Sequence, residues 1–148
     1  ELCRHLNARE ARYLVIGGFA IRAAGYDRRT MDIDVLIAPD RANEEKVLAA
    51  LEYLPDKAVR ELAPGEVAQY EVVRIADEIV IDLMTSASGI GFEEAVRETV
   101  VHDVDGVAIP FASPGLLWRM KRESARDKDA ADKHFLRLLL ERDPTQRG

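Results

Sequence analysis

The chain carries a single cysteine among its 148 residues, Cys3, so no internal disulfide can form. That economy suits a reducing compartment, and the expected location is the cytoplasm, with Cys3 a small apolar residue on the first helix. No apolar run approaches the roughly 20 residues of a membrane span, and no signal-peptide pattern is present, which leaves no membrane partner. Because the chain opens on Glu1 rather than methionine, a preceding segment or leader stays open. Excess positive charge is missing as well. With 21 Lys and Arg against 27 Asp and Glu, the formal net charge is -6, which argues against broad, non-specific nucleic-acid binding but not against a local basic groove. There are no repeats, low-complexity stretches or linkers. The 3 histidines (His5, His102 and His134) are scattered and read as surface or satisfied residues.

What is present is the composition of a globular protein, 47% hydrophobic and 32% charged. The length suits one domain over residues 1–148, with a helical C-terminal part at 112–142. Leu2 to Arg9 reads as the end of a helix. Tyr13-Leu14-Val15-Ile16 is a continuously apolar run suited to a buried strand. It stops at Gly17-Gly18, and helical character runs from Phe19 to Ala24 before Gly25 ends it. Met31 to Ile37 alternates acidic and apolar residues as a second strand. Asp40 is a plausible N-cap for a helix whose apolar face carries Val47, Leu48 and Leu51. Leu54 to Pro64 is turn-rich. Val67 to Ile75 and Glu78 to Met84 are expected as strands joined near Ala76-Asp77, followed by a short helix from Phe92 to Glu98. Thr99 to Val104 and Val107 to Phe111 flank Asp105-Gly106, the strongest hairpin signal in the chain. Ser113-Pro114 opens a helix with a capping hydroxyl and a proline at the first position. The last helix is expected to bury Ala131, Phe135, Leu138 and Leu139, and Trp118 reads as core. The sum is a mixed α/β (α+β) domain.

Asp32 and Asp34 lie two apart on a strand, so both carboxylates leave the same face. Like charges at that spacing repel and raise one pKa unless a cation intervenes. A hard divalent ion resolves the conflict, and oxygen-only ligands favour magnesium over zinc. Asp82 interrupts the apolar run Val80-Ile81-Asp82-Leu83-Met84. If its strand lies beside that of Asp32, three acids converge, as nucleotidyl transfer on two metals about 4 Å apart requires. Gly17-Gly18, between a strand and a helix start, lets the backbone approach phosphate oxygens closely. Each signal alone has a plainer meaning: a tight turn, a solvated strand face, an edge-strand charge. Their combination in this order is far more specific. Two basic groups, Arg22, Arg28 and Arg29, and then Arg119, Lys121, Arg122, Arg126 and Lys128, matter only if they point at the acids. Ser86 and Ser88 read equally as substrate contacts or as caps of the Phe92 helix.

Gly17-Gly18, Asp32-Ile33-Asp34 and Asp82 together resemble the DNA polymerase β nucleotidyltransferase superfamily. Arg28-Arg29-Thr30-Met31-Asp32-Ile33-Asp34 matches the R-x-T-x-D-x-D form of small bacterial AbiEii-like nucleotidyltransferases. Arg126-Asp127-Lys128-Asp129-Ala130-Ala131-Asp132 is similar to their R-x-K-D-x-x-D motif, with Lys121 resembling the lysine before it. The likeness runs from about Arg12 to Leu140 and implies a nucleotidyltransferase fold, a central mixed sheet flanked by helices. It further implies two magnesium ions, with manganese the alternative ion, held by Asp32, Asp34 and Asp82. Asp82 would also activate the acceptor hydroxyl. Gly17 and Gly18 would hold the terminal phosphates, Arg28 and Thr30 would join the nucleotide site, and Lys121 or Lys128 would contact the triphosphate. The implied partners are a nucleoside triphosphate, an acceptor RNA end or protein hydroxyl, and a cognate antitoxin or toxin in a bacterial toxin–antitoxin or phage-defence pair. The family's toxins carry a larger C-terminal helical lobe, so the acceptor-binding part is expected to be reduced or supplied by a partner. Two other readings share these residues: a non-catalytic nucleotide- or partner-binding module, and an antibiotic-modifying nucleotidyltransferase.

Overall fold

The computed structural model describes residues 1–124, 126 and 129–143. The chain runs through α1 (Leu2–Ala8), β1 (Tyr13–Ile16), α2 (Gly17–Ala23), β2 (Asp32–Ile37) and α3 (Arg41–Ala50). After 3-10 turns at Leu51–Tyr53 and Ala58–Glu61 come the single helical turn α4 (Glu66–Gln69) and the hairpin β3 (Val73–Ala76) and β4 (Val80–Met84). A small hairpin, β5 (Ser86–Ala87) and β6 (Ile90–Gly91), leads into α5 (Phe92–Ala95), then β7 (Thr99–Val104), β8 (Val107–Ala112), α6 (Pro114–Lys121) and α7 (Ala130–Arg142). No described helix is long and apolar enough to cross a membrane.

Six strands form one mixed sheet in the order β3-β4-β2-β1-β8-β7. β1 lies antiparallel to β2 and parallel to β8, while β2 and β4 run parallel. All four residues of β1 are buried, as the continuous apolar run demands at the centre of a sheet covered on both faces. In β2 the burial changes along the strand: Asp32 to Asp34 are half-buried and Val35 to Ile37 fully buried. The first half of β2 therefore borders open space. β3 alternates buried Val73 and Ile75 with exposed Arg74 and Ala76, so its other face is open too.

Local chemistry fixes the ends of several elements. The Asp40 carboxylate accepts from the Asn43 amide at 3.0 Å and starts α3. The Ser113 hydroxyl accepts from the Leu116 amide at 3.2 Å, with Pro114 at the first helical position of α6. Asp105 and Gly106 turn β7 into β8 with φ of 51° and 83°, the left-handed pair a two-residue hairpin needs.

Three expectations change. The strand expected over 67–75 is shorter: the chain takes a helical turn at 66–69, where the Glu66 carboxylate accepts from the Ala63 amide at 2.8 Å and Val67 is buried whole. α2 begins at the glycine pair, two residues before Phe19. On α7 the buried stripe is Asp132, Leu136 and Leu140, while Ala131 and Leu138 are exposed and Phe135 and Leu139 only half-buried. The stripe starts with a paired aspartate, so a count of apolar positions alone aims it one residue off.

Candidate active site

Register brings the acids together. Asp34 on β2 stands directly opposite Asp82 on β4, and Asp82 in turn stands opposite Arg74 on β3. Paired positions share a face, so Asp34, Asp82 and Arg74 form one row across three strands, with Asp32 two residues upstream on the same face. Arg74 lies over the carboxylates. Its Nε donates to Asp82 Oδ1 at 2.9 Å, and its Nη2 donates to Asp82 Oδ2 at 3.0 Å and to Asp32 Oδ2 at 2.9 Å. The side chains of Arg74 and Asp32 are 58% and 41% exposed, against 10% for Asp82, so the guanidinium caps the acids from the solvent side. Among the described residues Asp34 has no such guanidinium partner. Burial, and then the Asp82 charge, push its carboxyl up to about 6; Lys121 pulls the other way, while Asp32 and a hydrogen bond shared with Asp82 add to the rise.

Gly17 has φ of 67°, a conformation L side chains rarely adopt, and a Cβ there would lie 2.1 Å from Asp34 Oδ2. The glycine makes room for the carboxylate. A Cβ on Gly18 would lie 2.6 Å from Thr30 Oγ1 and 3.6 Å from Arg28 Cζ, so Arg28-x-Thr30 packs against the second glycine. Both glycines, Arg28, Thr30 and the three acids line one open cleft of about 1220 Å³.

The opposite wall comes from the end of α6 and the start of α7. Lys121 Nζ donates to Asp129 Oδ1 at 2.7 Å and pairs with Asp132 Oδ2 at 3.5 Å; both carboxylates are almost wholly buried. Burial alone would raise the Asp129 carboxyl, but hydrogen bonds from Lys121, Ser124 and Arg126 outweigh it and hold the group well below the usual range. Arg28 crosses from the α2–β2 loop to pair with Asp132 and ties the two walls together. Arg29, Arg119, Arg122 and Arg126 also line the cleft. A chain of net charge -6 thus concentrates cations at the acids, which settles where most of the two basic groups point. Arg119 is held on the way by Glu94 and Glu98. Lys128 lies outside the described residues.

The sequence reading named the acids, the glycines, Arg28, Thr30 and Lys121, and the structure brings all of these to one cleft. It missed Arg74. A basic residue on the hairpin strand facing Asp82 was the available signal, but it needed the register of that hairpin. Ser88 lines the cleft and donates to the Met120 carbonyl at 2.7 Å, while α5 has Gly91 at its N-cap and no side-chain cap, so neither Ser86 nor Ser88 plays that part. His5 stacks on Tyr53 and His102 meets the edge of Phe111, away from the cleft. Trp118 packs partly buried against the core.

No protein-family model and no curated protein matches the chain. Solved structures do. An antigenic nucleotidyltransferase-like protein from Paracoccidioides brasiliensis superposes with a TM-score of 0.60 at 13% identity, over 95% of this chain and 72% of that one. A nominal nucleotidyltransferase from Thermotoga maritima gives 0.56 at 16% identity, over 95% and 89%. The antibiotic-resistance factor ANT(2'')-Ia gives 0.55 at 15% identity, over 99% and 85%. The fold is that of the nucleotidyltransferases.

Proposed function

We propose that the chain is a metal-dependent nucleotidyltransferase, which moves a nucleoside monophosphate from a triphosphate to an acceptor hydroxyl and releases pyrophosphate. The observation that carries this is the row Asp34–Asp82 with Asp32 beside it, in a cleft whose lining also brings Arg28, Arg29, Arg119, Lys121, Arg122 and Arg126. The donor set fits a hard divalent ion: it is oxygen-only, and one nitrogen of Arg74 already stands within 3.0 Å of an oxygen of both Asp32 and Asp82 as a stand-in cation. Among the described residues no three acidic, histidine or cysteine side chains are drawn tightly enough to ligate an ion as they stand, which is what a guanidinium wedged between them would produce. Asp32, Asp34 and Asp82 would hold magnesium or manganese, and bound there the ions would offset the charge that builds on the phosphate oxygens. Asp82 would accept the proton of the attacking hydroxyl. Gly17 and Gly18 would give the terminal phosphates a close backbone approach, and Arg28, Thr30 and Lys121 would border the nucleotide.

The acceptor is assigned to an RNA end or a protein hydroxyl, within an AbiEii-like toxin–antitoxin or phage-defence pair, on the R-x-T-x-D-x-D motif. The likeness to ANT(2'')-Ia is one of fold and leaves a small-molecule acceptor as an arm of the same assay. Arg74 favours one rival: a binding module that has lost its metals would keep a permanent internal cation on its acids. Transfer of label from an α-labelled triphosphate decides. Magnesium-dependent labelling that Asp32→Ala and Asp34→Ala abolish supports the enzyme; labelling unaffected by the double mutant refutes the site, and none with any acceptor class favours the module.

A further inference from the structure

Arg74 is a long, half-exposed cation on an edge strand, seated by three hydrogen bonds on two of the three carboxylates that the proposed function needs. Its Nε and Nη2 take both oxygens of Asp82, a two-point grip that a guanidinium makes and an ammonium cannot. The second contact of Nη2, to Asp32, spans the strands β3 and β2 across β4. A divalent ion held by the same oxygens cannot coexist with this grip. Nor can the guanidinium leave without cost unless it finds another anion, since a cation drawn from two carboxylates into water gives up charge-assisted bonds. Among the described residues the cleft supplies few alternatives: Glu71 and Glu123 are the other acidic lining residues there, apart from buried Asp129, already held by Lys121 and Arg126. A triphosphate laid in the cleft would bring the missing anion, and phosphate suits the planar fork of arginine as well as carboxylate does.

We propose that Arg74 is the resident counter-ion of the carboxylates and is displaced when a divalent ion loads, so that a triphosphate, by giving the guanidinium a new anionic partner, tightens metal binding. The inference rests on reading Asp32, Asp34 and Asp82 as the metal ligands. Its consequence is a protein that binds metal poorly by itself and takes up metal and nucleotide together. By reciprocity, metal tightens the triphosphate by the same factor.

Manganese binding, followed through the signal of the free ion in electron paramagnetic resonance, tests this with the parent, Arg74→Gln, Arg74→Lys and Asp32→Asn. Each is titrated with manganese alone and with a non-hydrolysable triphosphate. Without nucleotide, Arg74→Gln should bind manganese about tenfold tighter than the parent, the effect of removing one partly exposed charge-assisted pair. Arg74→Lys, unable to grip both Asp82 oxygens and Asp32 at once, should fall between them, and it serves as the test should the glutamine variant not fold. The triphosphate should tighten manganese in the parent far more than in Arg74→Gln. Equal or weaker manganese binding by Arg74→Gln, with binding in the parent that Asp32→Asn weakens, overturns the counter-ion role while leaving the metal site intact. Manganese binding that Asp32→Asn does not weaken removes the metal site, and the counter-ion role with it.

Discussion

Replacing Asp34 by asparagine should stabilise the metal-free protein at neutral pH, although it removes a residue the site needs. In the folded chain the Asp34 carboxyl stands at about 6, against 3.8 when unperturbed, chiefly through burial and the charge of Asp82. A raised acid favours the folded state while it is protonated. That contribution is fully present below 3.8, erodes as pH climbs towards about 6, and is gone above. Each tenfold change in proton affinity is worth about 1.4 kcal/mol, so the ionised group costs the fold about 3 kcal/mol, trimmed to about 2 kcal/mol by water in the open cleft. Asparagine is neutral at every pH and keeps a donor for Asp82. The difference corresponds to about 6 °C in melting temperature for a chain of this length. Thermal melts in chelator, for parent and Asp34→Asn, from about pH 4 to about pH 8, should show nearly equal stability at the acid end. The gap should open between 3.8 and about 6 and stay level beyond. A gap that does not vary with pH, or a mutant less stable than the parent at neutral pH, would refute the electrostatic account of the site.

Magnesium should raise the melting temperature of the parent by mass action and do little for Asp34→Asn; equal shifts in the two would show that Asp34 is no ligand. Gly17→Ala should destabilise by about 2 kcal/mol through its left-handed backbone and its collision with Asp34. Asp34→Ala should relieve the collision but not the backbone strain, and a denaturant double-mutant cycle showing no coupling would place the defect elsewhere. Asp129→Ala should cost about 3 kcal/mol by leaving Lys121 buried beside a single remaining carboxylate, and Lys121→Ala made on top of it should cost much less than alone. Additive losses in urea melts would deny the pair its role in holding the cleft wall.

How much of this could be read from the chain varied with the range of the interaction. Signals complete within a few residues came through: the alternation of Asp32 and Asp34 on β2, the Asp105-Gly106 turn, the Ser113-Pro114 helix start, and the single carboxylate in Val80–Met84. What depended on a partner far along the chain did not. The β3–β4 connection holds Asp77, Glu78 and Ile79, and Asp77 is pinned by accepting from the Asp56, Ala58 and Glu78 amides. This longer turn sets Arg74 opposite Asp82, whereas a turn at Ala76-Asp77 would have set another residue there. On α7, Asp132 occupies a buried position that polarity argues against; Arg28, some hundred residues earlier, and Lys121 make it tolerable.

The edge hairpin also bears on the order in which the chain acquires its structure. Arg74 and Asp82 are 8 residues apart and meet within a hairpin, an event of about 1–10 μs. Asp34 meets Asp82 only through a parallel pairing, which must wait for the long crossover through α3 and the 3-10 turns to close. On this ordering we expect the cation to be in place on Asp82 before the second carboxylate arrives, so that β2 docks against a neutralised neighbour instead of a bare like charge. A chain without Arg74 would meet that repulsion in the docking step itself, so its refolding limb would slow at neutral pH and recover in acid, where Asp34 arrives uncharged.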